Sequence, residues 1–241
     1  MDPLDALRRA CEARPAEEAD AVDGVRPSYV ASPGSVEEAR DLMRMAAEHR
    51  LVVVPRGAGT KLTWGIAPHA CDLLVDTSHL DRLLEHAAGD LVCRVEAGLP
   101  MARLAETLEP ARQQLALDVP VPGSTVGGVL ATGTSGPRRL LYGAARDLLI
   151  GITVVRADGA VARSGGKVVK NVAGYDLGKL YTGSYGTLGV IVEAAFRLHP
   201  LPTAHRYITA RTSHPGAAVH AIMSGQLAPA GLELDRPAGE L

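Results

Sequence analysis

Aromatic side chains are scarce in this sequence: one Trp, one Phe and six Tyr make up 3% of 241 residues. That is too few for the stacking platform on which single-stranded nucleic acid is held. Charge of one sign is also lacking. A net charge of −2 leaves no electrostatic footprint for nucleic acid or an anionic membrane surface. The three cysteines, Cys11, Cys71 and Cys93, lie far apart and form no C-x-x-C pair. This argues against a disulfide framework and against a zinc or iron–sulfur centre held by this chain. No apolar run approaches the roughly 18 residues of a transmembrane helix. The N-terminus, MDPLDALRRACEARPAEEAD, carries charges throughout and has no apolar core of a secretory signal. Together these absences predict a soluble intracellular chain with no direct membrane span and no metal site.

Several catalytic signatures are missing as well. Gly166-Lys167 suggests a phosphate loop, but Val168 replaces its Ser/Thr and Val161 its first Gly. Neither Ser135 nor Ser184 sits in a G-x-S-x-G elbow. The eight histidines include no H-E-x-x-H, and His214 with His220 is a loose local pair better read as solvated or core. Hydrolysis and zinc chemistry have no local support.

Glycine is what the sequence does have, and its placement is uneven. GGKVVKNVAGYDLGKLYTGSYGTLG, from Gly165 to Gly189, holds seven glycines at non-periodic spacings. Glycine costs roughly 0.5–1 kcal/mol inside a helix or strand, but it admits positive φ and lets a ligand lie directly against the main chain. Two earlier stretches have the same character: PRGAGTK (55–61) and PGSTVGGVLATGTSG (122–136). Three small-residue loops, each beside an apolar run, read as holding one large flat ligand by backbone.

The pattern around these loops predicts α and β elements in two units. Ser35 to Glu38 fit a capping box, followed by Val36, Ala39, Leu42, Met43, Ala46 and Ala47 on one helical face ending near Arg50. Leu51 to Val54 form an apolar β-branched run that suits a buried strand. A strand at Leu73–Asp76 and a hairpin at Arg82–His86 and Leu91–Glu96 complete an α/β unit reaching residue 98. Pro100 opens a helix that Pro110 closes. Leu115–Leu117 is strand-like, Val126–Ala131 a short helix, and Asp158-Gly159 turns a hairpin between Ile150–Arg156 and Ala160–Arg163. Tyr175–Tyr181 reads as a helix, and Leu188–Leu198 as a long strand, giving the second unit an antiparallel sheet. From Thr203 a strand (Arg206–Arg211), a helix (Pro215–Gly225) and part of a strand begin a third unit too small to bury a core.

PRGAGTK after a strand invites a dinucleotide fingerprint, but Leu62 stands where the third Gly belongs and TWGIAPHACD is no crossover helix. It then reads either as a plain strand-to-loop turn or as a nest of N–H groups binding a pyrophosphate. Ser124 and Thr125, with backbone donors leading into a helix, suit an anion in the same way, although such turns are common without a ligand.

Taken in order, PRGAGTK, PGSTVGGVLATGTSG, YGAARDLLIGITVVRADG and KNVAGYDLGKLYTGSYGTLGVI resemble the FAD-binding domain of vanillyl-alcohol-oxidase (PCMH-type) flavoproteins. Within that family the last motif is most similar to the FAD-binding subunit of bacterial glycolate oxidase. The resemblance implies an α+β fold of two subdomains: a small α/β one (about 28–98) and a larger one with an antiparallel sheet (99–202). Residues 1–27 would then be an N-terminal extension, and 203–241 the start of a truncated substrate-binding cap.

The resemblance also implies a site. Arg56, Gly57, Ala58, Gly59, Thr60 and Lys61 match the first pyrophosphate loop, and Gly123, Ser124, Thr125, Val126, Gly127 and Gly128 the second. Gly136, Tyr142, Gly143, Arg146 and Asp147 match the stretch beneath the flavin. Gly186, Gly189, Val190 and Ile191 match the strand that meets the cofactor. Lys170, Asn171, Gly174, Tyr175 and Asp176 match the signature before it. Arg56, Lys61 and Arg146 are expected to offset the pyrophosphate charge. Several relatives carry a flavin-linked histidine where this chain has Thr60, so the FAD is expected to be non-covalent. The function implied is oxidation of a small 2-hydroxy acid by hydride transfer to flavin, beside a catalytic flavoprotein paralogue and an iron–sulfur subunit. The alternative is a non-catalytic flavin-binding or interaction subunit. A cytoplasmic location follows, peripheral to the inner face of the membrane through those partners. The catalytic base is left unassigned.

Overall fold

The computed structural model of the chain describes residues 3–166 and 176–235. Residues 3–15, read from sequence as lying ahead of the first unit, are built into it. Helix α1 (Pro3–Ala10) buries Ala6 and Leu7 completely. Strand β1 (Glu12–Pro15) pairs antiparallel with β2 (Tyr29–Ser32) along its whole length. Helix α2 (Val36–Glu48) then leads to β3 (Val53–Arg56) and β4 (Leu73–Asp76), and the sheet runs β1-β2-β4-β3 with β2 and β3 parallel to β4.

The local causes in this unit match the sequence closely. The Ser35 hydroxyl accepts from the Glu38 amide at 3.1 Å, capping α2. The Glu38 carboxylate reaches one residue further back than a capping box requires, accepting from the Gly34 amide at 2.8 Å. Ala39, Leu42, Met43 and Ala46 are the buried face, and Arg50 ends the helix at φ 54°. The expected buried strand after α2 is instead the sheet edge: Val52 is 45% exposed and Val53 to Arg56 are half-buried. An edge position accommodates Pro55, which has no N–H for an outer neighbour.

The second sheet contains β5 (Leu83–Ala87), β6 (Val92–Glu96), β8 (Leu149–Val155), β9 (Val161–Gly165) and β10 (Val190–Arg197), in the antiparallel order β5-β6-β10-β8-β9. The β5–β6 hairpin, expected in the first unit, therefore belongs to this sheet, with β6 pairing Glu96 opposite Glu193. Between β6 and β8 lie α3 (Met101–Leu108), the two-residue β7 (Gln113–Gln114), α4 (Val126–Thr132), α5 (Arg139–Tyr142) and α6 (Ala145–Leu148). Leu115 to Leu117 are buried but irregular, and β7 pairs with β11 (His199–Pro200). The β8–β9 turn is one residue longer than the Asp158-Gly159 signal suggests. Gly159 N–H donates to Arg156 O at 2.9 Å and Arg156 N–H to Ala160 O at 3.0 Å, with Gly159 left-handed at φ 75°.

Strand β10 carries both cores. Val190 and Val192 pack with α1, α2 and the first sheet, while Ile191, Ala194 and Phe196 pack with α3, α4 and α6. The change of parity comes from an irregularity between Ile191 and Glu193, where one extra residue turns the following side chains over. Helix α7 (Leu177–Tyr181) covers β8, and α8 (Pro215–Ser224) buries no residue. The expected strand at 206–211 is absent, its residues being exposed coil; 231–235 form no strand either, and 236–241 lie outside the described residues. The described residues are α+β, with one mixed sheet, one five-stranded antiparallel sheet and the small antiparallel β7–β11 pair. Among the described residues no helix is long and apolar enough to cross a membrane.

Candidate functional site

The end of β3, the start of α4 and the loop before β10 meet where glycines remove side chains. A Cβ on Gly57 would overlap the Thr125 hydroxyl. One on Gly127 would lie 2.8 Å from Ala97 Cβ, and one on Gly186, already at φ 77°, 2.6 Å from Pro55 Cγ. The close approach leaves a cleft lined by Pro55, Arg56 and Gly57 after β3, by Thr77 after β4, by Gly127, Gly128 and Ala131 of α4, and by Tyr185, Gly186, Gly189 and Ile191 leading into β10. Beyond Pro55 and Gly186 lies a second, apolar cavity of about 260 Å³, walled by Met43, Ala46, Leu51, Val53 and Val190.

The two phosphate-type loops differ in what they offer. Among the described residues, no acceptor is paired with the N–H groups of Gly57, Ala58, Gly59, Thr60 and Lys61. Successive unpaired amides are the kind of donor set that suits an anion. The second loop is only partly supplied in this way. Val126 N–H donates to Leu99 O at 3.0 Å, Gly127 N–H to Ala97 O at 2.7 Å, and Gly128 N–H to the Thr125 hydroxyl at 3.3 Å. The amides of Gly123, Ser124 and Thr125 have no acceptor among the described residues, and the loop adds the Ser124 and Thr125 hydroxyls.

The cations differ too. Lys61 is 8% exposed, and its Nζ donates to Ser124 Oγ at 2.6 Å and to Thr60 Oγ1 at 3.2 Å. Burial pushes its pKa down from the ordinary lysine value. Arg56, expected to serve the pyrophosphate, is held elsewhere: Nη1 donates to Asp20 Oδ1 at 3.1 Å and Nη2 to Asp76 Oδ2 at 2.7 Å. Asp20 is also gripped by Arg14 at 2.7 and 3.1 Å. Arg56 thus borders the cleft through its main chain, whose carbonyl accepts from the Thr77 hydroxyl at 3.2 Å.

Of the residues singled out by sequence, Arg56, Gly57, Gly127, Gly128, Gly186, Gly189 and Ile191 line the cleft, while Thr125 abuts Gly57 and Lys61, bonded to Thr60 and Ser124, comes near Gly128. Ala58 and Gly59 lie on the first loop, and a Cβ on Gly123, at φ 77°, would sit 3.7 Å from Thr60 Cγ2. Val126 and Val190 face the cores. The stretch from Gly136 to Asp147 lines neither cavity. Gly136 packs on Asp118, Gly143 on Asp147, and the Tyr142 ring stands edge-on to His199 at 4.9 Å. Asp147 accepts from the Ala144 amide at 2.9 Å, and Arg146 is exposed. Lys170, Asn171, Gly174 and Tyr175 lie outside the described residues, and Asp176 caps α7.

Four cleft residues are absent from the site set read from sequence: Pro55, Thr77, Ala131 and Tyr185. Tyr185 had a signal, being an aromatic between two glycines in an aromatic-poor chain; it is left-handed at φ 54° and 48% exposed.

A glycine-lined cleft with a run of amides lacking acceptors beside a buried cation suits a nucleotide-type cofactor. Residues 27–165 match the family model described as the FAD binding domain, and this chain belongs to that family of FAD-binding oxidoreductase domains. It is 36% identical to glycolate oxidase subunit GlcD of Bacillus subtilis over 224 residues, covering 88% of this chain and 46% of that one. It is 34% identical to the D-2-hydroxyglutarate dehydrogenase of Xanthomonas citri pv. viticola (73% and 38% covered). To the mitochondrial D-lactate dehydrogenase [cytochrome] of Arabidopsis thaliana it is 35% identical (73% and 31%). Among solved structures, alkyldihydroxyacetonephosphate synthase superposes with a TM-score of 0.66 at 26% identity, over 75% of this chain and 33% of the other. The chain spans less than half the length of each of these relatives. FAD is the cofactor the family defines, and the unpaired amides, the glycine-lined walls and Lys61 fit it.

Proposed function

We propose that this chain binds FAD non-covalently in the cleft and serves as the flavin-holding part of an enzyme that oxidises a small 2-hydroxy acid such as glycolate or D-lactate. The carrying observation is the run of five amides from Gly57 to Lys61 without acceptors among the described residues, beside a second loop whose Thr125 hydroxyl meets Gly57. Gly57 to Lys61, with Ser124 and Thr125, would hold the pyrophosphate. The apolar cavity beyond Pro55 and Gly186 suits a flat ring, since ligand sites are mostly apolar with a few placed polar groups. Thr60 offers no nucleophilic ring nitrogen for a covalent link to the flavin. Bound flavin would supply hydride-accepting chemistry, and the protein's share would be binding, orientation and electrostatics. Pro55 and the glycines of α4 and the β10 loop set the cleft's width, while Thr77 fixes the Arg56 carbonyl at its rim.

The family names carried by relatives support the 2-hydroxy acid class. Anaerobic addition of glycolate or D-lactate to the FAD-loaded protein tests it: loss of the visible flavin absorption is the expected result. A second reading is a non-catalytic flavin-holding subunit beside a catalytic paralogue and an iron–sulfur partner. It is favoured by α8, which buries no residue and so closes no substrate pocket among the described residues. Bleaching that appears only after a partner subunit is added would select that reading.

A further inference from the structure

Two cations flank the first loop, and they are treated in opposite ways. Arg56 is neutralised by Asp20 and Asp76. Lys61 is as deeply buried as any charged side chain of the loop, yet among the described residues it enters no ion pair. Its neighbours are hydroxyls. The Ser124 hydroxyl gives its own proton to Val121 O at 2.7 Å, so its oxygen accepts from Lys61. An ammonium has three N–H donors; two are taken, and the third has no acceptor among the described residues. Nζ lies 4.0 Å from where a Cβ of Gly128 would sit, and Gly128 lines the cleft. A buried cation without a counter-charge is costly unless an anion completes it.

We propose that, among the described residues, Lys61 is the charge that selects a diphosphate-bearing flavin in this cleft, with Arg56 withheld from the ligand by Asp20 and Asp76. The inference rests on the FAD reading of the site and adds a selectivity to it. Lys61 discriminates FAD from the same ring system without phosphates, while the glycine walls accept either. Because the ammonium serves the ligand rather than the fold, its removal does not weaken the empty protein.

The test compares flavin-stripped wild type with Lys61→Met and with Lys61→Gln, which keeps hydrogen bonding without charge. FAD and riboflavin affinities are read by flavin fluorescence, with inorganic pyrophosphate as competitor, and unfolding temperatures are read without ligand. Loss of a charge-assisted contact should weaken FAD about 10- to 100-fold in both variants. Riboflavin affinity should be unchanged, competition by pyrophosphate should disappear, and the unfolding temperature of the empty protein should not fall. A variant that binds FAD as wild type does would overturn the proposal. So would equal weakening of FAD and riboflavin together with a lower unfolding temperature, which is the behaviour of a structural lysine. Wild type that binds no FAD would instead remove the FAD reading itself.

Discussion

Gly57 and Thr125 occupy space that only one side chain can fill: a Cβ on Gly57 would overlap the Thr125 hydroxyl, which also caps α4 through the Gly128 amide at 3.3 Å. The two loops of the cleft are therefore set against each other by a missing methyl group. Gly57→Ala should displace Thr125, weaken FAD at least tenfold and cost about 1–3 kcal/mol of stability, the usual range for overpacking. Gly57→Ala with Thr125→Ala should recover part of that loss, since the remaining contact to Thr125 Cβ is 3.4 Å. A double-mutant cycle on denaturation midpoints and FAD affinity measures the coupling. Additive effects would mean the two residues do not share the space.

Asp20 predicts the acid limb of stability. The Arg14 guanidinium above all, with the Glu17 amide and Arg56 and against the opposing effect of burial, holds its carboxyl well below the usual aspartate range. A carboxyl whose pKa is lower folded than unfolded stabilises the fold above its unfolded value of about 3.9 and loses that stabilisation as pH falls toward the folded value. Urea midpoints should thus be steady above about pH 5 and drop below pH 4. Asp20→Asn should be less stable at pH 7 and lose less on acidification; parallel pH curves for both proteins would refute this.

Glu96 pins the open end of the β5–β6 hairpin. It is 2% exposed and accepts from the Arg82 amide at 2.8 Å and from the Arg82 guanidinium at 3.1 and 2.7 Å. Removing Arg82 leaves the buried Glu96 carboxylate without its counter-charge, whereas removing Glu96 lets the exposed Arg82 side chain return to water. Arg82→Ala should therefore lower the thermal midpoint clearly more than Glu96→Ala, as calorimetry would show.

What the sequence made legible was local. The Ser35 cap and apolar face of α2, β4, the β8–β9 hairpin and the glycine loops follow from neighbours within a few positions. What it concealed was partner choice. Nothing near residues 83–96 says that their hairpin adds to β10, a hundred residues on, because strand propensity describes a half-buried surface and not its neighbour. Leu51 to Val54 read as interior, yet only the sheet order puts them at an edge. The same limit governs the site. The loops could be read from glycine, but Arg56 looked available until Asp20 and Asp76 were found on it, 36 and 20 residues away.

The most direct test of the central claim is the visible absorption spectrum of the purified protein before and after acid precipitation. Non-covalent FAD predicts flavin bands in the native protein, or after adding FAD, and yellow colour released to the supernatant by acid. Protein that is colourless and takes up no FAD would contradict the cleft's assignment, and colour retained in the pellet would contradict non-covalent binding.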